Sequence, residues 1–190
     1  MARSLDKRIS LLIIVLLSVA AVHLINVAMH GSLMHYGIQP RNTHTWYHIF
    51  TAPFIHGDYS HLGNNLIGLA LFGALTLVRS QRFFVMGSLF IIVVSGGLVW
   101  FFGRSAVHLG ASGWIYGLWS LTIVMAWYDR KLVNILMAVL VIIFYGGMIY
   151  GVLPSSPNIS YEYHLAGAIA GLLYAALVAR SRGSLRRNLA

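Results

Sequence analysis

Six mostly apolar stretches, at about 10–29, 61–78, 83–102, 112–128, 132–151 and 162–179, succeed one another along the chain, parted by short basic clusters. A helix needs about 20 such residues to cross a hydrocarbon core about 30 Å thick. The chain therefore reads as an all-α membrane protein, a six-transmembrane-helix bundle forming a single domain over residues 1–190. Composition agrees. Only 9% of residues are charged and 58% are hydrophobic, whereas a soluble surface is built with about 25% charged residues. The first stretch has no small-residue cleavage site, so it is expected to remain as a span and the mature chain to be the whole chain. The absence of Cys excludes disulfides, thiolate metal sites and a cysteine nucleophile.

A net charge of +9 could suggest nucleic acid, but the positions of the basic residues indicate membrane topology. Arg3, Lys7 and Arg8 precede the first span, Arg79 and Arg82 part the second and third, Arg130 and Lys131 part the fourth and fifth, and Arg180, Arg182, Arg186 and Arg187 follow the sixth. Only Arg41 and Arg104 fall on the other side. The positive-inside rule then places both termini in the cytoplasm.

Each even-numbered span begins at its outer end with an unusual polar residue: His61 and Asn65, then Ser112, then His164. At a rise of about 1.5 Å per residue, Ser112 lies about 27 Å, His164 about 24 Å and Asn65 about 21 Å from the cytoplasmic charges ending their helices. All three fall at similar depth, where one pocket can hold them. Residues 103–111 must descend to reach Ser112, and backbone outside a helix at that depth requires protein or a water cavity around it. The outer loop at 30–60, with Trp46, Tyr47, Phe50, Pro53 and Phe54, is expected to be partly structured and to dip into the outer leaflet. The loop at 152–161 lies beside His164, placed to act as a lid.

Gly110-Ala111-Ser112-Gly113 puts a serine between glycines at a helix start, where unpaired N–H groups can receive an oxyanion. Alone, this is equally a glycine-rich turn with a serine cap. His164 opens His164-x-x-Gly167-x-x-x-Gly171, and the fourth span holds Gly113-x-x-x-Gly117. Small residues four apart let membrane helices pack backbone to backbone. Packing through these faces would bring His164 to Ser112 as a general base. His61 and Asn65, four apart and on one face, can donate to the oxyanion, and Tyr116, one turn below Ser112, can pack under the His164 ring. Each has a plain alternative as an interhelical hydrogen bond or packing group, but the three motifs coincide by chance only about 0.005 times in a chain of this composition.

With Gly-x-Ser-Gly and a Tyr four after the Ser, His-x-x-x-Asn, and His-x-x-Gly-x-x-x-Gly, the sequence resembles the rhomboid intramembrane serine proteases, most nearly the bacterial GlpG type, over about residues 10–180. The resemblance implies Ser112 as nucleophile, His164 as base, and His61, Asn65 and the Ser112 N–H as the oxyanion site, with Gly110, Gly113, Tyr116, Gly167 and Gly171 in support. It further implies cleavage of single-span membrane proteins in the bilayer without a cofactor, and residence in a bacterial inner membrane with the site opening to the periplasm. Three features depart from the family. Tyr47 follows Trp46 where Arg is frequent, Tyr163 stands before His164 where a small residue is common and is expected to reshape the pocket rim, and no extra amino-terminal domain is expected before the first span. Of the outer acids, Asp58 and Glu162, neither is placed to complete a triad, so a Ser/His dyad is expected. No metal site is expected, because the histidines are scattered and carboxylates scarce.

Two rivals stand beside the protease: a six-span transporter, which should show charged or inverted-repeat features that the sequence lacks, and a catalytically inactive rhomboid-like binding protein. The charge pattern yields a direct prediction. In this cysteine-free chain, an impermeant thiol reagent outside intact cells should label Ser156→Cys and leave Ser184→Cys unlabelled. Labelling of Ser184→Cys would reverse the orientation.

Overall fold

The computed structural model describes residues 2–154 and 159–188. The centre of the interval to which the sequence assigns a lid, residues 155–158, lies outside the described residues. Six α-helices account for most of the described chain: α1 (Ala2–Ala28), α2 (Tyr59–Arg79), α3 (Gln81–Phe102), α4 (Ser112–Tyr128), α5 (Leu132–Tyr145) and α6 (Tyr161–Asn188). The chain is a multi-pass helical membrane protein. Among the described residues, five segments are long and apolar enough to cross a bilayer: Asp6–Ala28, Tyr59–Arg79, Gln81–Phe102, Leu132–Val152 and Tyr161–Ser181. The exception is α4, which has 17 residues and spans about 26 Å.

That shortness follows from where α4 sits. Its sequence has no polar face, and a helix that is apolar all round belongs at the centre. Twelve of its residues, from Gly113 to Ala126, are buried, and it packs against α2, α3, α5 and above all α6. The segment leading into it is not helical. Ile38 and His108 form an isolated antiparallel bridge, with the Ile38 N–H donating to the His108 carbonyl at 2.8 Å and the reverse bond at 2.9 Å. Next, the Gly110 N–H donates to the Ala52 carbonyl at 2.9 Å. The long loop between α1 and α2 thus supplies the backbone partners that the segment entering α4 needs away from water. Most of its ordered structure is three 3-10 turns, Ser32–Tyr36, Trp46–Ile49 and Ala52–Phe54. Arg41 ties it to the end of α3 by donating to the Gly103 carbonyl at 2.8 Å.

Local sequence explains most boundaries. Asp58 caps α2 by accepting the His61 N–H at 2.8 Å, and Ser80 caps α3 by accepting the Phe83 N–H at 3.0 Å. The fifth span differs from the continuous helix expected over 132–151. It tightens at Gly146-Gly147 into a 3-10 helix that runs from Gly146 to Val152, because paired glycines weaken an α-helix.

The contact between α4 and α6 is the most extensive among the described helices. A Cβ added at Gly167 would strike the carbonyl oxygen and Cα of Gly113, and one at Gly171 would strike the Gly117 carbonyl and the Ser120 hydroxyl. Ser120 also bridges the pair by donating to the Ala168 carbonyl at 2.8 Å. Gly167→Ala should therefore lower unfolding stability by about 1 to 3 kcal/mol, the usual cost of overpacking. Unfolding of the detergent-solubilised protein would measure it, and an unchanged midpoint would contradict the contact.

Candidate active site

Between the N-terminal ends of α2, α4 and α6 lies a cavity of about 840 Å³, and Ser112, His164, His61, Asn65 and Tyr116 all line it. Those five side chains are therefore brought together. The sequence-selected glycines Gly110, Gly113, Gly167 and Gly171 instead set the backbone around it.

Ser112 is the first residue of α4, and the capping position belongs to Ala111, which makes no side-chain cap. The serine hydroxyl is thus not tied down as the helix cap. Gly110 turns the chain with φ +104°, a conformation that favours glycine, and a Cβ there would also run into the His61 ring. The Gly110 and Ala111 N–H groups are both occupied, the second by the His56 Nε2 at 3.3 Å. Helix geometry leaves the Ser112 N–H without an intrahelical acceptor.

His164 is held on two sides. Its Nδ1 lies 2.9 Å from the Gly151 carbonyl. A carbonyl only accepts, so Nδ1 carries the proton and Nε2 keeps its lone pair in the neutral ring. Tyr116 stacks on the imidazole, with ring centres 4.2 Å apart and planes within 8°. Asn65 is buried and donates to the His61 carbonyl at 2.7 Å. An amide nitrogen has two N–H groups, so a second remains for the cavity.

Three residues outside the sequence-selected set shape the site. Gly151 supplies the carbonyl that orients His164, from the 3-10 segment that sequence assigned to a regular span. Tyr163 is fully buried, packs on Gly113 and does not line the cavity. The expectation that it reshapes the rim is therefore corrected: α6 turns this ring inward, where the absent side chain of Gly113 makes room. His56 is the third. Fully buried, it receives the Ala111 N–H, packs its ring on His61 at 4.9 Å, and has its carbonyl held by His23 Nδ1 at 3.2 Å and Asn26 Nδ2 at 3.4 Å, both from α1. Nothing in its spacing distinguished it from the other histidines. Its burial would have been legible only from the loop's fold.

Both nearby acids have partners of their own, although Asp58 also lines the cavity. Asp58 caps α2, and the His61 backbone N–H holds its carboxyl below the usual range. Glu162 pairs with Arg104 at 3.4 Å.

A membrane bundle whose central helix presents a serine to a cavity shared with a histidine of the last helix defines a class, and comparison with known proteins gives its family. The Rhomboid domain model matches residues 43–181, and the chain belongs to the rhomboid family. It is 30% identical over 151 residues, 75% of its length, to an uncharacterized protein of Mycobacterium tuberculosis. The Rhomboid-like protein 11, chloroplastic, of Arabidopsis thaliana is 30% identical over 154 residues, covering 73% of this chain and 55% of the relative. The Rhomboid-type serine protease 2 of Emericella nidulans is 27% identical over 154 residues, covering 76% of this chain and 29% of the relative. The chain spans 63% of the length of the mycobacterial relative.

His56 generates a pH prediction. Burial foremost, then the neighbouring His61, pushes its pKa from 6.5 down to about 4. Between those values the unfolded chain binds a proton that the folded imidazole refuses, so stability rises with pH across this window and is lost as pH falls from 6.5 toward 4. Unfolding midpoints of the wild type should fall across that range, and those of His56→Asn should fall less steeply. Parallel curves would remove His56 as the cause.

Proposed function

We propose that the chain is an intramembrane serine endopeptidase that cuts membrane-spanning segments with Ser112 and His164. The observation that carries this reading is the setting of His164. The Gly151 carbonyl fixes the proton on Nδ1, Tyr116 fixes the ring plane, and the lone pair on Nε2 belongs to a side chain that lines the same cavity as Ser112. Family membership supports the reading.

The Ser112 Oγ attacks the scissile carbonyl carbon while His164 Nε2 takes the hydroxyl proton. The resulting oxyanion accepts hydrogen bonds from the Ser112 N–H, His61 and Asn65. As the C–N bond breaks, His164 returns the proton to the leaving amine, and water then releases the acyl group by the same steps. No carboxylate takes part, since a main-chain carbonyl does the orienting.

The substrate is a single-span membrane protein. Inside a helix the carbonyl is hydrogen-bonded and shielded, so the segment must unwind near the outer surface, where the polar groups of the cavity, among them His61 and Asn65, solvate the freed backbone. Gly or Pro just beyond the cut favours this, being about 1 and 3 kcal/mol less helical than Ala in soluble helices. The basic clusters support cytoplasmic termini and a site opening outward, to the periplasm in a bacterial inner membrane.

A fluorophosphonate probe should label Ser112 in the wild type. Ser112→Ala and His164→Ala should each abolish proteolysis, with no further loss when combined, and Asn65→Ala should lower kcat by about 10² to 10³. A folded wild type that neither labels nor cleaves would instead be a rhomboid-like binding protein.

A further inference from the structure

Above the proposed catalytic pair, a polar cluster joins the segment entering α4 to the segment entering α6. Arg104 Nε lies 3.4 Å from Glu162 Oε1, its Nη2 donates to the Ile159 carbonyl at 2.8 Å, and its guanidinium sits 5.6 Å from the centre of the Tyr161 ring. Four residues on, His108 Nε2 lies 3.1 Å from the Arg104 carbonyl. Nε2 must donate there, so in the neutral ring Nδ1 accepts the Ser160 hydroxyl, at 2.5 Å. Burial holds the His108 pKa below its ordinary value, which favours that neutral form.

The cluster is partly shielded from water. His108 is 1% exposed and the Glu162 side chain 15%, while the Arg104 side chain is 35% exposed, so the ion pair is shielded on its carboxylate side and partly open on the other. It also brackets the site. Arg104 and His108 precede Ser112 in the descending segment, while Ser160 and Glu162 precede His164. Val107, Leu109, Ile159 and Ser160 line the same cavity as the pair.

Geometry makes the location matter. The glycine contacts fix α4 to α6 at Gly113–Gly167 and Gly117–Gly171, while His164 lies one turn outward of Gly167. Outward of the glycines, Tyr163 packs on Gly113 and His164 stacks on Tyr116. Loosening of the segments that enter the two helices would splay these contacts about the glycine pivot and carry His164 away from Ser112. We propose that Arg104, His108, Ser160 and Glu162 are positioning residues that tie the two approaches together and set how His164 meets Ser112. This assignment rests on the protease reading above.

The test uses the full chain in liposomes. It compares Ser160→Ala, Glu162→Gln, Arg104→Gln and Arg104→Lys for the rate of fluorophosphonate labelling at Ser112, for kcat and KM on a single-span substrate, and for unfolding midpoint. A misplacement of about 1 Å can cost about 10²-fold. Ser160→Ala and Glu162→Gln should each slow labelling and lower kcat by about tenfold with KM little changed, the pattern of lost transition-state geometry. Arg104→Lys, which keeps the charge, should recover part of what Arg104→Gln loses. Labelling is normalised to the folded fraction, and Ser160→Ala removes only one hydroxyl, so a fold defect cannot imitate the result. Labelling and kcat close to wild type in the folded variants, with wild-type Ser112 reactive, would overturn the clamp alone. An unreactive wild-type Ser112 would overturn the protease reading and the clamp with it.

Discussion

Close approach of two helix backbones is the constraint from which the rest of this architecture follows. Gly113 and Gly117 on α4 face Gly167 and Gly171 on α6, where an added Cβ would meet main-chain atoms. In lipid there is little hydrophobic drive between helices, so association relies on packing and interhelical hydrogen bonds, and small residues maximise the first. Ser120 adds the second by reaching the Ala168 carbonyl. Once α4 is held this closely and covered by α2, α3 and α5, its N-terminal end lies inside the protein and its lead-in segment must find partners in the loop between α1 and α2. The Ile38–His108 bridge and the Gly110 bond to Ala52 are those partners.

Helix existence was almost wholly legible in the sequence, because hydrocarbon admits few ways of satisfying a backbone. The helices follow the apolar stretches within a few residues at most ends, and α4 runs from Ser112 to Tyr128. The disagreement in the fifth is instructive. Hydropathy cannot distinguish an α-helix from a 3-10 helix of the same residues, yet the change at Gly146 delivers the Gly151 carbonyl to His164.

Side chains of the candidate site were legible where a motif fixed both type and spacing, as for Ser112, Tyr116, His61, Asn65 and His164. They were not legible where the role comes from the path of a loop. His56 reaches Ala111, and α1 reaches His56 through His23 and Asn26, only because the loop between α1 and α2 folds back between them. Tyr163 was misplaced for the opposite reason. Its position beside His164 suggested the rim, but adjacent helical residues point about 100° apart, and its direction leads into the core.

The partner of His164 Nδ1 is main chain, and this changes what heredity can vary. A carboxylate in that role could be deleted by one codon change, whereas a carbonyl belongs to every amino acid and survives any substitution at its own position. What position 151 must preserve is a shape: the 3-10 path that aims the carbonyl, and the missing Cβ that would otherwise strike the Tyr116 hydroxyl. A scan that truncates one side chain at a time has nothing to remove there. The orienting member of this site is encoded as a conformation and not as a functional group.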